Sequence, residues 1–372
     1  MNIPFADGLL YRYVARQARA RPVPLVSELR LHEARRVLLA LTTGLGDAVL
    51  STPVLPALRG ALPNAEIRLL CRAAWVPLFA ADPDLNGVIS YRGKYRGFFT
   101  LVAELRRFLP DIAVILHGND PDILPLAFLG GSRFIVRIPT EGTRYGFLLS
   151  NRHRAEDRAT VTGWHYIDNR LRILDTIGVA PVERYPRVHL SPAVRKGVVA
   201  KIGARLGGRT YWVMHACAAD LYKTWPLEKT RALLEHSKGA HPAVAALLTG
   251  SRADREVLQS LAAGLEDVHV VAGEFDIAET AACLAGARCV VAPDTGVLHL
   301  AAALGVPVVG LYAPTSASLV GPRSLERTPV IIQKPPTCDP SCAKQCPYTP
   351  HNCMDQIGVE EVRAALESAL VG

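Results

Sequence analysis

The chain contains no run of about eighteen or more apolar residues, so no membrane-crossing helix is expected. Its opening stretch, MNIPFADGLLYRYVARQARARPVP, lacks the apolar core of a signal peptide. A cytoplasmic location is therefore expected, in which the eight cysteines would be mostly reduced or metal-bound. No DNA- or RNA-binding motif is recognised, nor the interleaving of aromatic and basic residues used by single-strand binders, and no nucleic-acid partner is expected. Glycine (29) and proline (27) are concentrated nowhere in the 372 residues, so they read as turns between many short elements. The remaining composition, 49% hydrophobic and 20% charged, is that of an ordinary globular chain of two or three domains. A formal charge of +8 favours an anionic partner such as a phosphorylated substrate or a membrane surface.

The most informative stretch is Val290 to Ala313, VVAPDTGVLHLAAALGVPVVGLYA, which reads as strand, turn, helix, turn, strand. Pro293 ends an apolar run, Asp294-Thr295-Gly296 forms the turn, and Gly305 and Pro307 end the helix. Such a loop lies at the carboxyl end of a parallel strand, where open α/β sheets bind ligands. Asp294 and Thr295 are expected to cap the helix through side-chain oxygens. Gly296 allows close approach of a phosphate or sugar hydroxyl to free N–H groups. Asp294 acting only as an N-cap stays open as the alternative.

The same grammar appears earlier. RVLLAL (Arg36 to Leu41) reads as a buried parallel strand, and Thr42-Thr43-Gly44-Leu45-Gly46-Asp47 as a turn into a helix over Ala48 to Leu62. Gly44 and Gly46 permit a sharp backbone approach, but the third glycine of a dinucleotide fingerprint is missing. Asp47 at its lip suits a general base or another N-cap. Alternating strands and helices continue to residue 177. His117-Gly118-Asn119-Asp120 is a polar strand end, and Pro139 to Thr162 is a long basic loop with Arg144, Arg152, His153, Arg154 and Arg158, fit for an anionic acceptor or a solvated flap. Asp7 to Arg21 suits a helix, either resting on anionic lipid or packed on its own domain. After the proline-rich stretch Val179 to Leu190 the alternation resumes. Lys223 lies on a loop after the strand ending at His215, and Gly250-Ser251 follows another strand ahead of a helix over 254 to 264. Two open α/β halves of this kind imply a cleft facing both sets of strand ends.

Near the C-terminus, Cys338, Cys342, Cys346 and Cys353 are close enough for a tetrahedral zinc or iron site, with disulfides or free thiols as the alternatives. Cys71, Cys217, Cys283 and Cys289 lie in apolar contexts and read mostly as small core residues.

Three segments, GLGDAVLSTPVLPAL at 44 to 58, LYKTWP at 221 to 226 and DTGVLHLAAALGVPVVGLYAPT at 294 to 315, together resemble glycosyltransferase family nine, the ADP-heptose:lipopolysaccharide heptosyltransferases. The resemblance implies an α/β protein of GT-B fold, with two Rossmann-like domains facing a central cleft. The domains would run 1–35 (N-terminal extension), 36–180 (acceptor domain), 181–190 (linker), 191–335 (nucleotide-sugar domain) and 336–372 (cysteine tail and helix). It further implies an inverting, metal-independent transfer of heptose from ADP-heptose to an inner-core lipopolysaccharide sugar, at the cytoplasmic face of the inner membrane. Asp47 would be the catalytic base. Lys223, Asp294, Thr295 and Gly296 would hold the donor, with His299 supporting the loop. Gly250 and Ser251, followed by Asp254 or Glu256 on the ribose, would complete the donor site. Gly44, Gly46, His117, Asn119 and Arg144 are the candidate acceptor residues. The chain departs from the family at Cys217 and Ala218, where members often carry phosphate-holding threonines. No catalytic cofactor is expected; zinc or iron at the cysteine tail would be structural. The competing readings are a heptosyltransferase acting on autotransporter adhesins, whose relatives carry cysteine-bound iron, and a non-catalytic sugar-nucleotide-binding protein. A UDP-sugar epimerase fits the motifs poorly.

Overall fold

The computed structural model describes residues 3–117, 120–140, 142–154, 162–337 and 352–371. The chain divides into two units, Met1–Arg184 and Tyr185–Gly372, so the division falls inside the proline-rich stretch after residue 179.

The first unit is a five-stranded parallel sheet, β1 (Arg36–Leu41), β2 (Glu66–Arg72), β3 (Gly87–Tyr91), β4 (Ile112–His117) and β5 (Phe134–Val136), in the order β3-β2-β1-β4-β5. β1 and β4 are almost wholly buried because helices cover both faces of the sheet, which is why they read as continuous apolar runs. Helix α1 (Ile3–Ala20) packs Leu10, Tyr11, Val14 and Ala18 into the core on one face. Of the two expectations for this helix, the structure therefore gives packing on its own unit for that side.

The single helix expected over Ala48 to Leu62 is instead two, α2 (Leu45–Leu50) and α3 (Val54–Ala61). Pro53 has no N–H to continue the ladder. The hydroxyls of Ser51 and Thr52 donate to the carbonyls of Asp47 (2.7 Å) and Val49 (2.8 Å), competing for acceptors at the break. The unit continues with α4 (Phe98–Phe108), α5 (Ile123–Leu129) and α6 (Tyr166–Asp175).

The second unit is a six-stranded parallel sheet: β6 (Thr210–Met214), β7 (Val244–Leu248), β8 (Val268–Val270), β9 (Val290–Pro293), β10 (Val308–Tyr312) and β11 (Val330–Gln333). Their order is β11-β10-β9-β6-β7-β8. The edge strand β11 went unread because its four residues are only exposed to half-buried, so they carry no apolar run. The helices are α7 (Pro192–Leu206), α8 (Leu227–Ala240), α9 (Arg255–Ala262), α10 (Ile277–Ala285), α11 (Gly296–Ala303) and α12 (Val359–Val371). Ser191 caps α7 through its hydroxyl, with Pro192 at the first helical position.

Counted from its own first strand, each sheet has the order 3-2-1-4-5 of mononucleotide-binding α/β units, with a sixth strand added in the second. The chain reverses direction across the sheet between β1 and β4 in one unit and between β6 and β9 in the other. At such switch points the strand ends splay apart and leave a crevice.

Candidate active site

Of the residues singled out by the sequence, Gly44, Asp47 and His117 lie at the first switch point, and Lys223, Asp294, Thr295, Gly296 and His299 at the second. In the first unit, the turn after β1 is pinned from outside: Arg72 Nε donates to the Thr42 carbonyl (3.1 Å) and Trp75 Nε1 to the Thr43 carbonyl (2.9 Å). Gly44 is the N-cap of α2, which puts Asp47 in the first turn rather than at the cap. Its Oδ2 accepts a 2.9 Å hydrogen bond from the Thr43 hydroxyl. His117 Nε2 lies 3.8 Å from that oxygen, and Arg170 Nη2 3.7 Å from Oδ1. One short bond thus orients the carboxylate, while the two nitrogen groups stand just beyond bonding distance, and the side chain keeps 24% of its surface exposed.

His117 reaches this position through an irregularity at the end of β4. Ala40 pairs with Ile115 but Leu41 pairs with His117, and the extra residue redirects the strand end toward Asp47. Burial lowers the His117 pKa to about 4, leaving the ring neutral at neutral pH. Arg170 was not foreseen. It lies on α6, is only 9% exposed, and its Nε has no partner among the described residues. Arg144, expected near an acceptor, pairs with Asp7 of α1 and lies over the rings of Tyr11 and Tyr145. Asn119 is outside the described residues, as are Cys338, Cys342 and Cys346.

In the second unit, Asp294 follows β9 and is 9% exposed. It does not cap α11, contrary to expectation. Thr295 holds the N-cap position, and no side chain caps the helix. The physical reason is competition. Lys223 Nζ donates to Asp294 Oδ2 (2.8 Å) and His299 Nε2 lies 3.5 Å from Oδ1, so the carboxylate is already engaged. Burial would raise its pKa, but the hydrogen bond from His299 and the charge of Lys223 outweigh it and hold it well below the usual carboxylate range. The hydroxyls of Thr295 and Thr315 are buried here without a hydrogen-bond partner among the described residues. Gly296 opens the helix with its N-terminal end uncapped.

Lys223 ends a short 3-10 turn whose approach is closed by the Thr224 hydroxyl accepting from the Ala218 amide (3.2 Å). Trp225, fully buried, donates from Nε1 to the Ile357 carbonyl (3.1 Å), so the residues preceding α12 brace this loop. After β7, a Cβ on Gly250 would come within 2.9 Å of Leu258 Cδ1 and 3.1 Å of the Asp254 side chain, so the turn is closely packed. The amide and hydroxyl of Ser251 both donate to Asp254 Oδ2 (2.7 Å each), and Glu256 is exposed. Beside this loop lies a cavity of about 810 Å³ bounded by Arg252, Arg255, Gly273, Phe275 and the α7 residues Lys201 and Arg205, none of which sequence reasoning had picked out. Cys71, Cys283 and Cys289 are buried and Cys217 half-buried. Cys353 is buried, with its sulfur 3.2 Å from the Thr337 hydroxyl. Among the described residues no cluster of three metal-ligating side chains occurs.

Two parallel α/β sheets, with an oriented carboxylate at one switch point and a lysine–aspartate pair beside an open helix N-terminus at the other, make up the GT-B fold of a glycosyltransferase. Residues 134–351 match the model of glycosyltransferase family 9 (heptosyltransferase), and the chain belongs to that family. It is 28% identical over 334 residues to lipopolysaccharide heptosyltransferase 1 of Pseudomonas aeruginosa, covering 85% of this chain and 88% of that one. In fold it is similar to a family 9 glycosyl transferase from Veillonella parvula, at TM-score 0.75 and 20% identity over 92% of this chain and 99% of that one. It is similar also to the ADP-heptose lipopolysaccharide heptosyltransferase II of E. coli, at TM-score 0.71 and 19% identity over 91% and 98%.

Proposed function

We propose that the protein transfers heptose from ADP-heptose to an inner-core sugar of lipopolysaccharide by a single inverting displacement that needs no metal. The observation that carries this reading is the orientation of Asp47 by Thr43, with neutral His117 and buried Arg170 alongside. Asp47 takes the proton of the acceptor hydroxyl as that oxygen attacks the anomeric carbon on the face opposite the leaving ADP. Thr43 keeps the carboxylate aimed. His117 contributes a hydrogen-bonding edge rather than a charge.

On the second unit, Lys223 and the uncapped N-terminus of α11 stabilise the negative charge that develops on the diphosphate, the work a divalent cation would otherwise do. Asp294 holds Lys223 in place before the donor arrives. The unpartnered hydroxyls of Thr295 and Thr315 supply contacts for phosphate or heptose oxygens. The Gly250–Asp254 loop and the neighbouring cavity, with Phe275 on its wall, receive the nucleoside end. The relatives named as lipopolysaccharide heptosyltransferases support the sugar and the acceptor class.

The test is transfer from ADP-heptose to heptose-deficient lipopolysaccharide by the wild-type protein and by Asp47→Asn, with and without EDTA. Wild-type transfer unaffected by EDTA, an inverted product and an inactive Asn variant are expected. Preferential binding of UDP or GDP over ADP in calorimetry overturns the donor assignment, and full activity of Asp47→Asn overturns the base.

A further inference from the structure

The segment Tyr91 to Phe99, YRGKYRGFF, interleaves aromatic and basic residues, a pattern the sequence reading missed. The structure sorts it into two sides. Tyr91 is buried and its hydroxyl donates to Asp122 Oδ1 (2.7 Å), while the Tyr95 amide donates to Asp122 Oδ2 (2.8 Å). Tyr95 is held at φ +60°, flanked by Gly93 and Gly97, also at positive φ. This clamp turns Arg92, Lys94 and Arg96 outward, all exposed, and Phe99 beyond them is 83% exposed. An exposed aromatic ring carries meaning where it belongs to a larger apolar patch rimmed by polar groups.

Helix α1 is tied to the same loop: the Tyr95 hydroxyl donates to Asp7 Oδ1 (2.5 Å). Asp7 is the sole carboxylate of α1, and it is buried, so it does not offset the charge of the outward face. That face carries Leu9 and Tyr13, each 50% exposed, together with exposed Arg12, Arg16 and Arg19. The segment Tyr91 to Phe99 has no acidic residue either. Two adjoining elements thus present six cations and three large apolar side chains.

We propose that the outward face of α1 and the Arg92–Phe99 loop form one docking surface for an anionic lipid bilayer, with Leu9, Tyr13 and Phe99 entering the headgroup boundary and the six cations pairing with lipid phosphates. Charge complementarity selects the bilayer, because an uncompensated basic surface with apolar tips matches a negatively charged interface. The buried and tethered tyrosines are unavailable for stacking on bases. The use of this surface, to bring the enzyme to a lipid-linked acceptor, rests on the proposed reaction; its test does not.

The full-length protein is sedimented with vesicles of phosphatidylcholine alone or mixed with phosphatidylglycerol. Binding to the anionic vesicles only, weakening as salt rises, is expected. The variant Arg92→Gln/Lys94→Gln/Arg96→Gln should bind at least tenfold more weakly, and Phe99→Ser or Tyr13→Ser severalfold more weakly. All should keep wild-type ADP affinity and wild-type transfer to a lipid-free acceptor oligosaccharide. Absence of wild-type binding, unchanged binding by the variants, or competition by single-stranded RNA at equal charge overturns the proposal. An equal loss of transfer to the lipid-free acceptor also overturns it, because the loop would then belong to the acceptor site.

Discussion

Lys223 Nζ lies 2.8 Å from one oxygen of Asp294, and His299 Nε2 lies 3.5 Å from the other, so a nearly buried carboxylate sits between two nitrogen groups. The pair serves two purposes. It fills the turn between β9 and α11 without a side-chain cap, and it holds an ammonium group ready beside an uncapped helix end. Removing the cation leaves the carboxylate buried and short of its closest partner. Lys223→Met should therefore destabilise the second unit by about 3 kcal/mol and slow transfer by roughly a hundredfold or more. Lys223→Arg keeps the charge and should recover most of the stability but only part of the rate, because the guanidinium places its donors differently. Urea unfolding and single-turnover transfer separate the two effects. A Met variant with wild-type turnover would remove Lys223 from the reaction.

Asp47 depends on Thr43 for its aim. Thr43→Val preserves the shape and deletes the hydroxyl, and should lower kcat about tenfold with little change in donor KM. Asp47→Asn should lower kcat by about a thousandfold while leaving ADP affinity intact, since the donor residues lie in the other unit. Arg170→Gln tests positioning: a fall in kcat with a changed pH–rate profile and unchanged donor KM is expected, whereas a purely structural role would alter only stability.

The alternation of strands and helices was legible because both sheets are buried on two faces, which writes apolar runs into the central strands. The turns at Asp47 and Asp294 were legible because glycine and a capping-type residue after such a run have few other uses. Their partners were not legible. Asp294 is drawn off the helix by Lys223, 71 positions away, and no local rule reports that competition. His117 reaches Asp47 through a one-residue shift at Ala40/Leu41, invisible in composition. Arg170 occupies a helix with other charged residues and reads as a surface arginine, yet it is 9% exposed. The break between α2 and α3 was written in Ser51-Thr52-Pro53, but Pro53 alone was compatible with a helix start. β11 is too short and too exposed to give a period.

Two half-buried histidines make stability depend on pH in a defined direction. Burial lowers the pKa of His117 and of His215, each to about 4. The unfolded chain takes up protons near pH 6.5, so it binds more protons than the folded protein between 6.5 and 4. Stability should be fully present above pH 6.5 and fall as pH drops toward 4, by up to about 3 kcal/mol for each histidine. Asp294 acts lower down: its depressed pKa stabilises the fold above about pH 4, and that contribution is lost on further acidification. Chemical denaturation at a series of pH values should give a shallower slope over pH 4–6.5 for His117→Gln than for the wild type. Identical slopes would mean that His117 becomes charged in the folded protein without penalty.

Trp225 couples the last part of the chain to the donor loop. Its ring is fully buried and its Nε1 donates to the Ile357 carbonyl, while Lys229, on α8, donates to the Asp355 carbonyl and reaches that residue's carboxylate at 2.7 Å. Trp225→Ala should cost about 4 kcal/mol through lost contacts and a cavity. Trp225→Phe is the sharper probe, because it keeps most of the buried ring and leaves the Ile357 carbonyl only its longer, 3.4 Å bond from Lys229, a cost of about 1 kcal/mol. Since Lys223 is two residues away, the Phe variant should also bind ADP more weakly, by a few-fold, with a smaller change in kcat once donor is saturating. Calorimetric titration with ADP beside urea unfolding reads both quantities. If stability falls while ADP affinity stays at the wild-type value, Lys223 is positioned by Asp294 alone and the residues before α12 have no part in shaping the donor loop.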